Sequence, residues 1–369
     1  MDPFALSDEL GPGKIVFVHE KSVGLKGILV VDNTACGPAI GGLRMAPDVS
    51  LEECFRLARA MTLKNASAGL PHGGGKSVLF GDPGMDIREK EKLIRAMAAA
   101  LRDVRGYIFG PDMGTNEQCM AWVHDEIGRS VGLPAPLGGI PLDEFGATGF
   151  GLMHALEIAA ASRGKKLEGL RIAVQGFGAV GKHAARFLAG RGAKIVAVSD
   201  TKGGVLNADG LDVDALWKLK ADGRSVTTLP GGKSISGEEL IAVDCDVWIP
   251  AARPDVIHES NVQNLKADIV VSGANIPLTA GAELSLEKRG VLCIPDFIAN
   301  AGGVICAAME YAGQTKTAAF QTIEEKIRSN TERIIEDSKK SGISPRDAGL
   351  RMAIERIRQA MNSRRFRTF

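Results

Sequence analysis

The sequence predicts an α/β protein with three parts: an N-terminal α/β domain, a doubly wound parallel-sheet domain, and C-terminal helices returning to the first domain. Three observations carry this. Short strands and amphipathic helices alternate through the first third of the chain. A Gly/Pro-rich passage, GLPAPLGGIPLDEFGATGFG, then breaks the pattern as a domain boundary does. From Arg171 come short runs apolar on both faces, IAVQG, KIVAVSD, CDVWIPA, ADIVVSGA and GVLCIPD. Strands of that kind belong in a parallel sheet covered by helices on both sides. The expected boundaries are 1–147, 148–320 and 321–369.

The elements follow in order. KIVFVHE and GILVVDN are rich in branched residues and read as strands. Ser50 and Glu53 form a capping box before the helix LEECFRLARAMT. KSVLFGDP is a strand stopped by Gly81 and Pro83, and MDIREKEKLIRAMAAALRDV is a helix. Thr115 and Gln118 are placed to cap the helix NEQCMAWVHDEIGRS. GLMHALEIAAASRG and GKHAARFLAGRG are helical, the second lying between two of the apolar strands. Near the end, Thr322 and Glu325 are placed to cap one helix. Ser344, Pro345 and Asp347 open the last, with Leu350, Ala353, Ile354, Ile357 and Met361 on one face.

Composition excludes several classes of function. The 369 residues suffice for two cores, and 45% hydrophobic with 24% charged residues is ordinary for a soluble chain. A formal net charge of +1 gives no field to draw nucleic acid or anionic membrane, and the basic tail SRRFRTF reads as a solvated terminus. No run of 18 uncharged apolar residues spans a membrane, and the start MDPFALSDEL is no signal peptide. Six scattered cysteines without a CxxC pair fit reduced thiols in a cytoplasm, and six histidines show no metal-ligand spacing.

VQGFGAVG sets Gly176, Gly178 and Gly181 in G-x-G-x-x-G register after a strand and at the start of a helix. The first glycine turns the chain, the second admits a pyrophosphate, and the third lets helix and strand pack closely. Asp200 ends the next strand, 24 residues after Gly176. This is the context of a Rossmann dinucleotide-binding domain, in which Asp200 takes the adenosine ribose and favours NAD. Lys202 follows closely and leaves NADP open.

The first domain holds three charged residues in apolar or glycine-rich company: Lys64 in MTLKNASAGL, Lys76 after three glycines, and Asp112 in GPDMGTNEQ. Two lysines brought together away from water lower each other's pKa, and a lysine poised near neutrality acts as a base or polarises a carbonyl. Two surface lysines and a loop aspartate are the alternative.

The segments GPAIGGLRMAP, MTLKNASAGLPHGGGK, GPDMGTNEQCMAW, ATGFG, VQGFGAVG, GAN and PDFIANAGGV resemble the glutamate/leucine/phenylalanine/valine dehydrogenase family in order and spacing. The resemblance implies reversible oxidative deamination of an L-amino acid to a 2-oxo acid and ammonia, with hydride passed to NAD or NADP at a cleft between the domains. It gives Lys76 the role of activating water, Asp112 that of acid/base partner, and Lys64 that of binding the α-carboxylate. Gly41 and Gly42 then line the cleft, and the glycines before Lys76 let substrate sit against backbone. Asn275 and Asn300 stand near nicotinamide and substrate. Thr148, Ala179, Val180, Ala251 and Asn275 join Gly176, Gly178, Gly181 and Asp200 around the dinucleotide. The family also implies a homo-oligomer. His72 and Arg253 depart from its pattern, and His72 alternatively reads as a loop histidine bonded to backbone. A catalytically silent dinucleotide-binding regulator is the reading from another class.

The resemblance also addresses the substrate side chain. In glutamate-specific members a lysine stands directly before the GGLR segment and meets the distal carboxylate. This chain has Ile40 there, and Ala307 where such members carry a serine. A carboxylate desolvated between these two residues without a counter-charge costs several kcal/mol. The expected substrate is therefore hydrophobic, of leucine, valine or phenylalanine type. Glutamate is the alternative, with Arg44 meeting its carboxylate.

Overall fold

A computed structural model describes residues 4–364, so the basic tail from 365 onward lies outside the described residues. The chain divides into two compact units. The first comprises the chain up to Leu142, Val304–Ala319 and the residues from Leu350, and the second comprises Asp143–Gly303 and Phe320–Gly349. The C-terminal region thus divides between the units at Gly349 and Leu350, where a single returning segment from 321 was expected. The reason is local to the sequence: the apolar residues that pack in the first unit, Ala353 and Ile357, come only after that point.

The first unit is built on strands β1 (Lys14–Glu20), β2 (Leu25–Asn33), β3 (Ala39–Ala46), β4 (Gly73–Phe80) and β5 (Tyr107–Pro111). Their order in the sheet is β1-β2-β4-β3-β5, with β3 parallel to both β4 and β5. Alternation along the strands sends Leu29, Leu43, Met45 and Leu79 to one face. There they bury with Met97 and Met120, in the core completed by helices α2 (Ile87–Ala100) and α3 (Glu117–Ile127). Ile28, Val30 and Val78 face the other way, onto Cys54 and Ala58 of helix α1 (Leu51–Ser67). Burying side chains of this size stabilises by roughly 1.5–3 kcal/mol each. Ser50 caps α1 as expected, accepting from the Glu53 amide at 3.1 Å.

The three glycines before Lys76 belong to strand β4 rather than to a loop. A Cβ at Gly73 would lie 1.8 Å from the Asn33 carbonyl oxygen, and one at Gly74 would lie 2.0 Å from the Thr62 backbone nitrogen. At Gly75 it would lie 2.9 Å from the Tyr107 ring. The position that a side chain would take at each of these glycines is occupied by the backbone of β2 and α1 and by an aromatic ring.

Two strands of this sheet, β3 and β5, were not foreseen. Their glycines, in AIGGLRMA and YIFGP, remove the strand signal from the pattern. The cap of α3 is Asn116, which accepts from Cys119 N at 3.1 Å, and not Thr115. The Thr115 hydroxyl instead donates to the Leu43 carbonyl at 2.8 Å.

The second unit carries helices α4 (Leu142–Phe145, begun in the first unit) and α5 (Ala147–Ala161). Its sheet contains β6 (Arg171–Gln175), β7 (Lys194–Asp200), β8 (Gly203–Leu206), β9 (Lys233–Ile235), β10 (Val247–Pro250), β11 (Ile269–Val271) and β12 (Leu292–Ile294). The sheet order is β12-β11-β10-β6-β7-β8-β9. The five strands β12 to β7 run parallel, and β8 and β9 extend them antiparallel. Helices α6 (Ala179–Ala189), α7 (Val213–Ala221) and α8 (Ala280–Lys288) lie in the connections, and α9 (Asp296–Ala299) follows β12. The chain ends in α10 (Gly302–Tyr311), α11 (Lys316–Ser341) and α12 (Pro345–Ser363). Thr322 lies inside α11. Thr315 supplies the N-terminal cap, accepting from Ala318 N at 3.2 Å. No helix among the described residues is long and apolar enough to cross a membrane.

Candidate active site

In the first unit Ile40 stands opposite Gly74 and Leu43 opposite Ser77, so Gly42 stands opposite Lys76. Gly42 also pairs with Gly110 on β5, whose end leads into Asp112. The strand ends thereby bring together two of the three charged residues that the sequence singled out, Lys76 and Asp112. Lys76 and Asp112 form a direct ion pair in which the lysine side chain is 7% exposed and the aspartate 21%. A Cβ at Gly42 would lie 2.7 Å from the Asp112 Cβ and 3.2 Å from the Lys76 Nζ, so only glycine fits beside the pair. The room at Gly41 is taken instead by the Gly75 carbonyl oxygen.

Asp112 has a second cation. Arg44 Nε donates to its Oδ2 at 3.3 Å, and Arg44 Nη1 donates to Glu53 Oε1 at 2.5 Å. Burial works to raise the Asp112 carboxyl, but the Lys76 ammonium and the Arg44 guanidinium outweigh it and hold it below the usual carboxylate range. Thr115 braces the loop, its hydroxyl accepting from the Asp112 amide at 3.0 Å. Sequence reasoning took Glu53 and Thr115 only as helix caps, and Arg44 only as the alternative partner of a substrate's distal carboxylate. Their link to Asp112 runs through tertiary pairing that no local pattern displays. Lys64 lies half-buried in the last turn of α1, next to Asn65, whose amide donates to the Gly73 carbonyl at 2.6 Å.

Ile40 shares the strand face of Gly42, two residues away. It buries in a small cluster with Ile108, Val131 and Ala307. The adjoining loop is pinned by one carboxylate: Glu310 Oε1 accepts from Leu133 N at 3.1 Å and its Oε2 from Ile140 N at 2.8 Å. Sequence reasoning missed Glu310, which occurs inside an otherwise apolar helix. His72 is buried with Nδ1 3.1 Å from the Pro38 carbonyl oxygen, and burial keeps its pKa low. That geometry is the backbone-bonded loop histidine.

In the second unit the turn after β6 has the form that a dinucleotide phosphate needs. Gly176 has φ +93°, a conformation that favours glycine. A Cβ at Gly181 would lie 1.8 Å from the Gly176 carbonyl oxygen, so helix and strand meet there. Around Gly178 a Cβ would meet nothing within 4 Å, and no side chain caps α6. The first amides of α6 at Ala179 and Val180 are thus left for an anion. Ala251 is tied to the same strand end, its amide donating to the Gln175 carbonyl at 2.7 Å. Thr148, the second residue of α5, lies against Gly302.

Asp200 differs from expectation. Its Oδ1 accepts from Lys202 N at 3.0 Å and Ser225 Oγ at 2.9 Å, and its Oδ2 accepts from Lys220 Nζ and Val226 N, each at 3.0 Å. Four donors already satisfy the carboxylate that the sequence assigned to a ribose, because the Ser225–Val226 turn folds onto it. Burial works to raise its pKa, but the four hydrogen bonds hold it low. Arg253 is exposed in the turn after β10.

Asn275 and Asn300 come together, as Asn300 Nδ2 donates to Asn275 Oδ1 at 3.0 Å and also lies 3.2 Å from the Gly273 carbonyl oxygen. The buried Oδ1 of Asn300 has no hydrogen-bond partner among the described residues. A buried acceptor left open in this way fits an N–H donor from a ligand. With the open turn at Gly178, it makes the second unit a fit for a nicotinamide dinucleotide.

Known proteins resemble this chain over most of its length. The family model described as Glutamate/Leucine/Phenylalanine/Valine dehydrogenase matches residues 138–365. The model described as Glu/Leu/Phe/Val dehydrogenase, dimerisation domain, matches residues 14–129. A glutamate dehydrogenase of Aeropyrum pernix is 39% identical over 355 residues, covering 90% of this chain and 85% of the relative. An NADP-specific glutamate dehydrogenase of Saccharolobus shibatae is 36% identical over 353 residues, covering 90% and 83%. Among solved structures, the hetero-hexameric glutamate dehydrogenase from Thermus thermophilus, in its Leu-bound form, matches with a TM-score of 0.85 at 30% identity, covering 95% and 90%. The L-tryptophan dehydrogenase from Nostoc punctiforme matches with a TM-score of 0.75 at 28% identity, covering 95% and 97%.

Proposed function

The chain belongs to the Glutamate/Leucine/Phenylalanine/Valine dehydrogenase family, and from that premise we propose that it catalyses the reversible oxidative deamination of an L-amino acid to a 2-oxo acid and ammonia, with NAD or NADP. The observation that carries this reading is the pairing of buried Lys76 with half-buried Asp112 beside Gly42.

The residues of the first unit supply the proton chemistry. Lys64 binds the substrate α-carboxylate. Asp112, held ionised by Lys76 and Arg44, accepts a proton from the substrate ammonium. Lys76 orients the water that adds to the imino carbon, and the pair passes that water's proton outward. A bound nicotinamide would supply the acceptor for the hydride of the substrate α-carbon. Gly176, Gly178, Ala179, Val180 and Gly181 would hold its pyrophosphate, with Thr148, Ala251, Asn275 and Asn300 toward the nicotinamide. The dimerisation-domain match and the hetero-hexameric Thermus neighbour support an oligomer, which we read as a homo-oligomer of this chain.

The side chain of the substrate has two readings. The names of the relatives back glutamate better than the hydrophobic amino acid expected from the sequence. The geometry favours the hydrophobic reading: Ile40, Ile108, Val131 and Ala307 form an apolar cluster, and Arg44 is engaged by Asp112 and Glu53. An apolar side chain gains roughly 0.8 kcal/mol per CH₂ buried against such residues. A deamination panel run with both dinucleotides tests all of this. The geometry gives higher kcat/KM on leucine, valine or phenylalanine than on glutamate. Glutamate as the best substrate overturns the hydrophobic reading, and no turnover of any amino acid overturns the dehydrogenase.

A further inference from the structure

Two residues other than glycine have positive φ among the described residues: Asp255 at 52° and Ile276 at 49°. For a β-branched residue such as isoleucine this is a true outlier, sustained only where the surroundings over-determine it. The two are bonded to each other, the Asp255 amide donating to the Ile276 carbonyl at 2.9 Å. They stand in the turns that follow β10 and β11. Those turns occupy the carboxyl ends of parallel strands, where ligands bind in sheets of this kind.

Ile276 is held from its other side as well. Its amide donates to Asp296 Oδ2 at 2.9 Å. The other oxygen of Asp296 accepts from Arg346 Nη2 at 3.1 Å, and Arg346 Nε donates to Glu283 Oε2 at 2.5 Å. Asp296 and Glu283 are both buried. The residue before Ile276 is Asn275, which accepts from Asn300, and Asn300 holds the unpartnered Oδ1.

We infer that Asp296, steadied by Arg346, is a positioning residue that acts through Ile276: it keeps the backbone of that residue in the left-handed region, so that Asn275 and Asn300 are preset for the nicotinamide half of the dinucleotide. The inference rests on the dehydrogenase reading above. Without the carboxylate, Ile276 relaxes toward ordinary φ and carries Asn275 with it. Glycine at 276 would hold the same conformation at no steric cost.

That difference supplies the test. NADH and NADPH binding are measured by fluorescence on the full chain, with melting temperature and steady-state kinetics alongside. Asp296→Ala weakens binding of the preferred dinucleotide by about tenfold, the effect of a strained conformation losing its support. Adding Ile276→Gly to Asp296→Ala restores most of that binding, although it restores none of the contacts of Arg346. A role of Asp296 in stability alone would lower the melting temperature and would not be rescued at position 276. Should Asp296→Ala fail to fold, Asp296→Asn with and without Ile276→Gly is read in the same way. Binding within about twofold of wild type in the single variant, or no recovery in the double, overturns the inference. A wild-type chain that binds neither dinucleotide overturns the dehydrogenase reading and this inference with it.

Discussion

Lys76 and Asp112 meet in a direct ion pair, with a side chain on the neighbouring strand excluded by glycine at position 42. Lys76→Ala is expected to lower kcat by about 10²–10⁴, the usual contribution of a general acid–base group. NADH binding should persist, since the dinucleotide turn lies in the other unit. Arg44 remains to pair Asp112, so the variant should fold. Asp112→Asn should behave similarly and should also alter the pH–rate profile. Activity within about threefold of wild type would falsify the assignment.

The cluster around Ile40 makes a prediction about specificity. Ile40→Lys with Ala307→Ser places a cation and a hydroxyl among Ile108 and Val131. The ratio of kcat/KM for glutamate over leucine should rise by about 10² or more, because the distal carboxylate gains a partner while the leucine side chain loses apolar contact. An unchanged ratio would show that the distal group binds elsewhere.

Cofactor choice is expected to turn on a neutralised carboxylate. Lys220 pairs with Asp200 at 3.0 Å and so offsets the charge that would repel a 2′-phosphate. Lys220→Met should lower kcat/KM for NADP relative to NAD by about tenfold, since it exposes the phosphate to an uncompensated anion. Equal effects on both dinucleotides would place the selectivity on other residues.

Acid stability should depend on Asp8. Its carboxyl accepts from both terminal nitrogens of Arg59, which lowers its pKa from 3.8 to about 2. A carboxylate with a depressed folded-state value stabilises above its unfolded value, and that stability is lost as pH falls through the folded one. The gap in melting temperature between wild type and Asp8→Asn should therefore hold steady above pH 3.8 and close toward about 2. The carboxylate is half exposed, so the whole effect is at most about 1 kcal/mol after solvent screening. A gap that persists at the acid end would mean that Asp8 acts by packing.

The strands with continuous apolar or alternating patterns were legible in the sequence. KIVFVHE occurs as β1 with both ends as read, and the G-x-G-x-x-G turn has the strand before it and the helix after it. Strands whose positions must stay small were hidden, because Gly41 and Gly42 erase the pattern of β3 that their tight neighbours require. At the site, Lys76 and Asp112 were visible through motif company. Arg44, Glu53 and Glu310 were not, since each acts across a gap in sequence that periodicity does not encode. Asp200 was visible as the end of its strand, but the bonds that its carboxylate makes within the protein were not. The residues that fill its carboxylate, Lys220, Ser225 and Val226, lie on a later loop.

The crowding around Gly73, Gly74 and Gly75 bears on how such an enzyme changes its diet. Each glycine faces backbone or a ring at distances that no side chain tolerates. Saturation libraries at these three positions should therefore yield misfolded protein instead of altered substrate range. Ile40, Val131 and Ala307 are bounded by one another's side chains, which repack far more readily than main chain. On the proposed reading, selection can vary those positions while the strand that carries Lys76 stays put, so new substrates can be recruited without dismantling the chemistry.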